Sequence, residues 1–576
     1  GGRRQPRVAP SDGAQVWTVK PRPLLESKSA FARAPASIRS RSVSHWLHPG
    51  RLRRARAARR PSRMRRVAVA RLRSAATASM RSRRADLGPR PRQGQRLAPQ
   101  LKAHLKAPRT GATDCRRAPR SRTNASAQAR SMLGRLASTM GRAYGQTRLL
   151  VALSAGAARG LEAASLPRPP SISSAFDSGN IELVHSVCVE EAHEFSLKIK
   201  DDAYTHFTDK TAHKQWFHFR ASGVKGAKCT FVIENAGDAS YPEGWENYQT
   251  VMSYDRDDWL RVDSTTYADG KLSWELTPER DSVWFAYFAP YSWERHERVV
   301  AELSGPGALG AHSVIGETLE GRPLDMLTFG DGPLQIWATA RQHPGESMAE
   351  WCAEGLSRFL NDADEPLARK LRSVATVRVI NNMNPDGAVA GYLRVNAAGA
   401  NLNREWASGV YEGYHAPTLE RSPEVYYTLK AMDYFGMDAH IDVHGDEAIP
   451  ANFFAGTEGI PKWDASLAAQ LDALSNAFLR RSPDFQVGLG YPVAAPGEAN
   501  MAVGSNAVAE RYAALSVTLE MPFKDTTTPA SASDPVRGWS PRRAEAFGAA
   551  LGAALLDSAP VVADGRGKAL PEGVVH

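Results

Sequence analysis

Between residues 176 and 302 the chain is cut into short runs in which apolar and polar positions alternate, each bounded by turn-forming residues. HEFSLKIK (193–200), KQWFHFRASG (214–223), KCTFVIENAG (228–237) and SVWFAYFAPY (282–291) are the clearest of them. A period of two buries one face of a strand and wets the other. Trp216, Phe217, Phe219, Trp245, Trp259, Trp284 and Phe285 crowd these runs, and core packing is the plain use for them. The pattern predicts an antiparallel β-sandwich over 171–303 with no chemistry of its own.

From about residue 310 the texture changes. HSVIGETLEGRPLDMLTFG (312–330) reads as a hairpin turning at Glu320-Gly321, and LQIWATA (334–340), ATVRVINNMN (375–384), MDAHIDVHG (437–445) and ALSVTLEMP (514–522) read as buried strands. Between and after them lie helical patterns at 347–362, 422–435, 463–481 and 541–558. Strands alternating with helices predict an α/β domain over 304–562, a mixed, mostly parallel sheet flanked by helices, with a short tail at 563–576.

Charge divides the chain a third way. Residues 1–170 hold 39 Lys and Arg against 5 Asp and Glu, leaving 34 basic and 56 acidic residues in 171–576. The overall charge of +12 therefore describes no single folded unit. The basic segment is rich in Arg, Ala, Ser and Pro, and cannot bury enough apolar surface to offset its ordering entropy. It is expected to be disordered, as an artefact of translation, a transit peptide or a basic arm. Because the part with folding patterns is acidic, nucleic acid is discounted as the main partner.

Cys115, Cys188, Cys229 and Cys352 form no CxxC pair and no disulfide framework, so reduced thiols are expected. No apolar run reaches the roughly 18–20 residues of a membrane span. LLVALSAGAA (149–158) has the length of a signal-peptide core, with an Ala-rich linker as the plainer alternative.

The chemistry concentrates at strand ends, where open α/β sheets bind ligands. RQHPGES (341–347) falls where a strand gives way to a helix, with His343 and Glu346 three apart and Pro344-Gly345 shaping the turn. An imidazole and a carboxylate so spaced can share one metal ion, and catalytic zinc usually takes three protein ligands. The third should come from another strand end. His440, Asp442 and His444 share one face of their strand, and His444 is nearest the ligand edge. Asp442 is left as either a partner behind the ligands or a satisfied polar residue. Alone, HxxE is a weak pattern that a helix start beside a surface histidine also makes.

HPGES, NPDG (384–387), LNRE (402–405), DVHGD (442–446) and TLEMPF (518–523) occur in that order. This set resembles the M14 zinc carboxypeptidases, and within them the cytosolic carboxypeptidase branch. FDSGN (176–180) and SYPEGW (240–245) resemble that branch's accessory domain. The resemblance covers about 176–560 and implies one zinc ion per chain, held by His343, Glu346 and His444. It also implies Glu520 as general base, Arg394 as the group that polarises the scissile carbonyl, and Asn403 with Arg404 as the grip on the substrate's terminal carboxylate. A planar guanidinium suits a carboxylate because it makes two parallel hydrogen bonds. A plain ion pair with Glu405 is the alternative use of Arg404. The family's active-site tyrosine is not placed, although Tyr491 and Tyr512 lie in the right third of the chain.

The reading is a metallocarboxypeptidase acting on the C-terminus of peptides or proteins, with a weak implication of glutamate as the residue removed. The alternatives are a zinc amidohydrolase that deacylates small N-acyl amino acids, and a non-catalytic peptide-binding protein. A cytosolic home is what the branch resemblance implies, with 149–158 leaving room for export or an organelle.

Overall fold

The computed structural model describes residues 169–205, 212–409, 413–527 and 534–571. The basic segment, save its last two residues, and the run at 149–158 lie outside the described residues.

Two five-stranded sheets build the first domain. One is ordered β1 (Ser171–Ser173), β4 (His218–Ser222), β10 (Ser282–Ala286), β6 (Val251–Ser253) and β7 (Leu260–Arg261). The other is ordered β2 (Glu182–Val189), β3 (Ala192–Lys198), β5 (Cys229–Ile233), β9 (Lys271–Leu276) and β8 (Thr266–Ala268). The alternating residues predicted to face inward do so. Phe231 of β5 lies 4.7 Å from Phe285 of β10 across the sandwich, and Trp274 of β9 stacks at 6.0 Å on Phe217 beside β4. Each such ring is fully buried, a gain of about 1.5–3 kcal/mol apiece. One pairing departs from the antiparallel expectation, since β3 and β5 run parallel. Between them the chain crosses to the opposite sheet to make β4, and a crossover of this kind returns a strand in the same direction.

Helix α1 (Trp293–Ser304), capped by the Ser292 hydroxyl, leads into the second domain. Its seven-stranded sheet is ordered β11 (Ala311–Glu317), β12 (Pro323–Phe329), β14 (Ala375–Ile380), β13 (Leu334–Ala340), β15 (Ala439–Val443), β17 (Leu515–Glu520) and β16 (Phe453–Ala455). The four central strands are parallel, and the margins are antiparallel. The β11–β12 hairpin turns where expected, at Gly321 with φ 81°.

The helices are α2 (Ser347–Asn361), α3 (Pro366–Val374), α4 (Pro385–Ala390), α5 (Pro423–Phe435), α6 (Ala465–Arg481), α7 (Gly504–Tyr512) and α8 (Pro541–Gly565). The pattern anticipates α2, α5, α6 and α8 and misses α3, α4 and α7, whose six to nine residues carry too little periodicity, as well as the 12-residue α1, which lies at the end of the stretch read as sandwich strands. Helix α8 has the length and apolarity of a membrane span, but packs as a core helix with two thirds of that stretch buried. A Cβ on Gly548 would meet the Cys352 carbonyl oxygen at 1.9 Å, and one on Gly355 would meet that of Glu545 at 2.0 Å. Glycine at both positions lets α2 and α8 touch backbone to backbone. Cys188, Cys229 and Cys352 are free thiols.

Candidate active site

Because β13, β15 and β17 are parallel and in register, Ala340, Val443 and Leu519 align, and the residues following them emerge at one edge of the sheet. The turn after β13 begins with Arg341 in the left-handed region, φ 60°, a conformation a long side chain adopts only when its surroundings enforce it. Here they do. The buried Arg341 guanidinium donates to the carbonyls of Pro344 (3.0 Å) and Tyr291 (2.9 Å) and to Glu350 Oε2 (2.6 Å). That clamp aims His343 and Glu346 along the sheet edge towards His444.

The three side chains converge. His343 Nδ1 lies 2.7 Å from Glu346 Oε1, His444 Nδ1 lies 3.0 Å from Glu346 Oε2, and the two Nδ1 atoms are 3.3 Å apart. Their candidate ligand atoms all fall within 4.8 Å of one another. The far nitrogens are tied back: His343 Nε2 is 3.0 Å from Asn401 Oδ1, and His444 Nε2 is 3.2 Å from Asp442 Oδ2. Asp442 accepts from Gln342 Nε2 at 2.7 and 2.8 Å and from the Thr339 hydroxyl at 2.9 Å. Asp442 thus stands directly behind the His444 ring, where a carboxylate fixes the tautomer of an imidazole and raises its basicity. His440 bonds instead to Thr339 and Ser516 inside the sheet layer.

Charge makes the same point as geometry. Burial opposes ionisation of Glu346, but the two imidazoles outweigh it and hold its carboxyl down at about 2. Burial pulls His343 down to about 4, whereas for His444 the carboxylates of Asp442 and Glu346 overcome burial and hold it well above its ordinary range. Three convergent donors with ordered backs fit a divalent zinc ion.

Glu520 ends β17, buried, and its Oε2 has no hydrogen-bond partner. Burial lifts its pKa to about 8, and the nearby carboxylates of Glu346, Asp446 and Asp442 add to this. Glu520, His343, Glu346, Arg394, Asn403 and Arg404 all open on one cavity of about 580 Å³, with His444 just behind it. Asn403 reaches His444 Nε2 at 3.4 Å and accepts from the Gly504 N–H at 2.7 Å. Glu405 is engaged by Arg421 through Nε at 2.9 Å and Nη2 at 2.8 Å. The Arg404 Nη1 group donates to the Asn403 carbonyl at 2.7 Å. NPDG forms the start of α4: Asn384 caps the Gly387 N–H, and Asp386 accepts from Thr318, the Glu320 N–H and Arg322.

Sequence reasoning missed several groups in the cavity lining. Tyr491 is there, its hydroxyl donating to Asp446 Oδ2 at 2.6 Å, while Tyr512 lies elsewhere, bonded to Asp433. Tyr241 and Glu243, from SYPEGW of the first domain, also line the cavity, and Arg394 lies 5.5 Å from the Tyr241 ring centre. No local pattern marks Tyr491; only proximity does.

A buried His–Glu–His cluster beside an unpartnered carboxylate, at the carboxyl edge of a mixed sheet, places the protein among the metallopeptidases. The family model for the cytosolic carboxypeptidase N-terminal domain matches residues 172–288, and that for zinc carboxypeptidases matches 309–447. An uncharacterized protein of Zymomonas mobilis is 43% identical over 393 residues, which are 68% of this chain and 97% of that protein. The crystal structure of a putative carboxypeptidase A from Shewanella denitrificans superposes with a TM-score of 0.62 at 44% identity, covering 68% of this chain and 98% of that one. Mouse cytosolic carboxypeptidase 4 is 27% identical over 323 residues, 47% of this chain but 27% of its own length. The chain belongs to the M14 zinc carboxypeptidase family and carries the N-terminal domain of its cytosolic branch. It spans about a quarter of the length of that mouse relative.

Proposed function

We propose that the protein removes C-terminal residues from peptides or proteins by hydrolysis, with His343, Glu346 and His444 holding one zinc ion. Zinc bound there would lower the pKa of water towards 7 and polarise a carbonyl oxygen. The other steps belong to side chains. Glu520 Oε2, the unpartnered buried oxygen, takes the proton of the attacking water and passes it to the leaving amine. Arg394 faces the negative charge that develops on the scissile carbonyl oxygen. Arg404 and Asn403 bind the free terminal carboxylate, which fixes which peptide bond is cut. Tyr491, on an exposed loop over the cavity, donates a hydrogen bond to the bound chain once released from Asp446.

The observation that carries this reading is the convergence of the His–Glu–His cluster and the unpartnered Glu520 oxygen on one cavity that also holds two guanidinium groups. The deacylase alternative gives no use to the N-terminal domain, whose Tyr241 and Glu243 line the cavity. Among the described residues lining the cavity, Arg394 and Arg404 are the cations, and Asn500, Ser505, Asn506 and Thr518 supply amide and hydroxyl donors. A preference for C-terminal glutamate therefore rests on those neutral donors. The test is a panel of peptides differing in the final residue, assayed before chelation, after it, and after zinc is restored. Cleavage should vanish with the metal and return with zinc. Hydrolysis surviving chelation would end the proposal, whereas faster release of lysine than of glutamate would overturn only the residue preference.

A further inference from the structure

The segment 391–396 carries Arg394 past the cavity without entering a helix or strand, so its backbone N–H groups need partners from elsewhere. One side chain serves three of them. Asp202, buried in the first domain, accepts from the N–H groups of Leu393 (2.7 Å), Arg394 (2.7 Å) and Val395 (3.3 Å). The residues stand 191 to 193 positions apart along the chain. Asp202 is itself anchored: its N–H donates to the His213 carbonyl at 2.7 Å, and its carbonyl accepts from the Thr205 hydroxyl at 3.0 Å. The same domain reaches the other end of Arg394, through the Tyr241 ring 5.5 Å from the guanidinium carbon. Beyond Arg394 the contact extends towards the metal cluster, because the Leu393 carbonyl accepts from the Gly345 N–H at 2.9 Å, between His343 and Glu346.

We infer that Asp202 is a positioning residue for Arg394: the N-terminal domain, through this carboxylate, holds the backbone that carries the cavity-lining arginine of the second domain. This rests on the reading of Arg394 as the group that faces the developing oxyanion. A carboxylate that accepts three N–H groups at once fixes their relative orientation. A displacement of about 1 Å in a group that acts in the transition state can cost on the order of 100-fold in rate. Substrate binding through Arg404 and Asn403 does not pass through this contact.

A double-mutant cycle in the full chain tests it, with Asp202→Asn, Arg394→Ala and the pair. Steady-state kinetics and zinc content are measured on each, with near-ultraviolet circular dichroism as the check on folding. Asp202→Asn should keep its zinc, lower kcat between about 10- and 100-fold and leave KM within about threefold. In the Arg394→Ala background the same change should cost less than about twofold. An equal cost in both backgrounds overturns the inference, since Asp202 would then act through something other than Arg394. Loss of zinc in Asp202→Asn also overturns it, by showing that the contact supports the metal loop instead. A wild-type rate in Arg394→Ala overturns the reading of Arg394 itself, whatever Asp202→Asn does. If Asp202→Asn does not fold, Asp202→Glu, which retains the acceptor but moves it by one methylene, takes its place in the cycle with the same outcomes.

Discussion

The two domains bury charge very differently. In the sandwich, Asp202 and Arg261 are the buried Asp, Glu, Lys or Arg residues among those described, and both point out of the domain. Asp202 binds the backbone at 393–395, and Arg261 donates to the carbonyls of Phe523 (3.1 Å) and Trp539 (3.0 Å) in the second domain. The second domain buries charge throughout its sheet edge, including Arg341, Glu346, Glu350, Asp442, Asp446, Glu447 and Glu520. Desolvating a charge is costly unless it is paired and hydrogen-bonded. The first domain is thus held by aromatic packing and, among the described residues, buries Asp, Glu, Lys or Arg only where it grips its neighbour. The second buries a dense network, much of it paired and hydrogen-bonded, around the candidate site.

This contrast is open to attack. The largest expected effect is at Glu520. Glu520→Gln should lower kcat between about 10²- and 10⁴-fold with zinc still bound, measured by metal analysis beside steady-state rates. A rate near wild type would remove the network's chemical purpose. Next, Phe231→Ala opens the sandwich core and should cost about 3–5 kcal/mol in denaturant unfolding, while the rate per folded molecule stays the same. A parallel fall in that rate would show that the sandwich core is coupled to the site.

The smallest effect sharpens the boundary between the domains, where α1 meets the sheet. His296 lies between Glu350 Oε1 (2.7 Å) and Asp325 Oδ2 (3.2 Å), with His312 sharing Asp325 and Arg341 sharing Glu350. Burial pulls its pKa down, but the two carboxylates outweigh this and hold it up at about 9, against an ordinary 6.5. A raised folded-state pKa gives stability that is complete below about pH 6.5 and lost as the pH rises through about 9. Urea unfolding of the zinc-loaded protein should lose on the order of 3 kcal/mol across that window. His296→Gln should lack that share of the slope, and an unchanged slope would show that the imidazole is neutral.

Much of the site was legible because its parts are local. HPGES places two groups three residues apart at a strand end, and along MDAHIDVHG the period of two puts His440 and His444 on one face, so that position at the strand's end singles out His444 over the buried His440. The hairpin at Gly321 and the inward aromatics of the sandwich follow from the same short-range rules. The short helices α3, α4 and α7 were missed because too few residues repeat to show a period, and α1 because it follows directly on a run of sandwich strands. Tyr491 was not placed because its loop has no strand or helix pattern to aim it. Asp202 left no mark in its own neighbourhood, since its partners are backbone N–H groups that any residue supplies.

The amino-acid sequence by itself determined the two-domain division, the α/β layering of the second domain and the identities of the clustered groups, because periodicity and spacing along a strand or turn are properties of neighbouring residues. The tertiary structure alone decided which distant groups complete the cavity: Tyr491 with Asp446, and Asp202 with the backbone of Arg394. Those contacts span tens to nearly two hundred positions, and the burial and hydrogen bonding that fix them exist only once the chain has folded, the second of them only where the two domains meet.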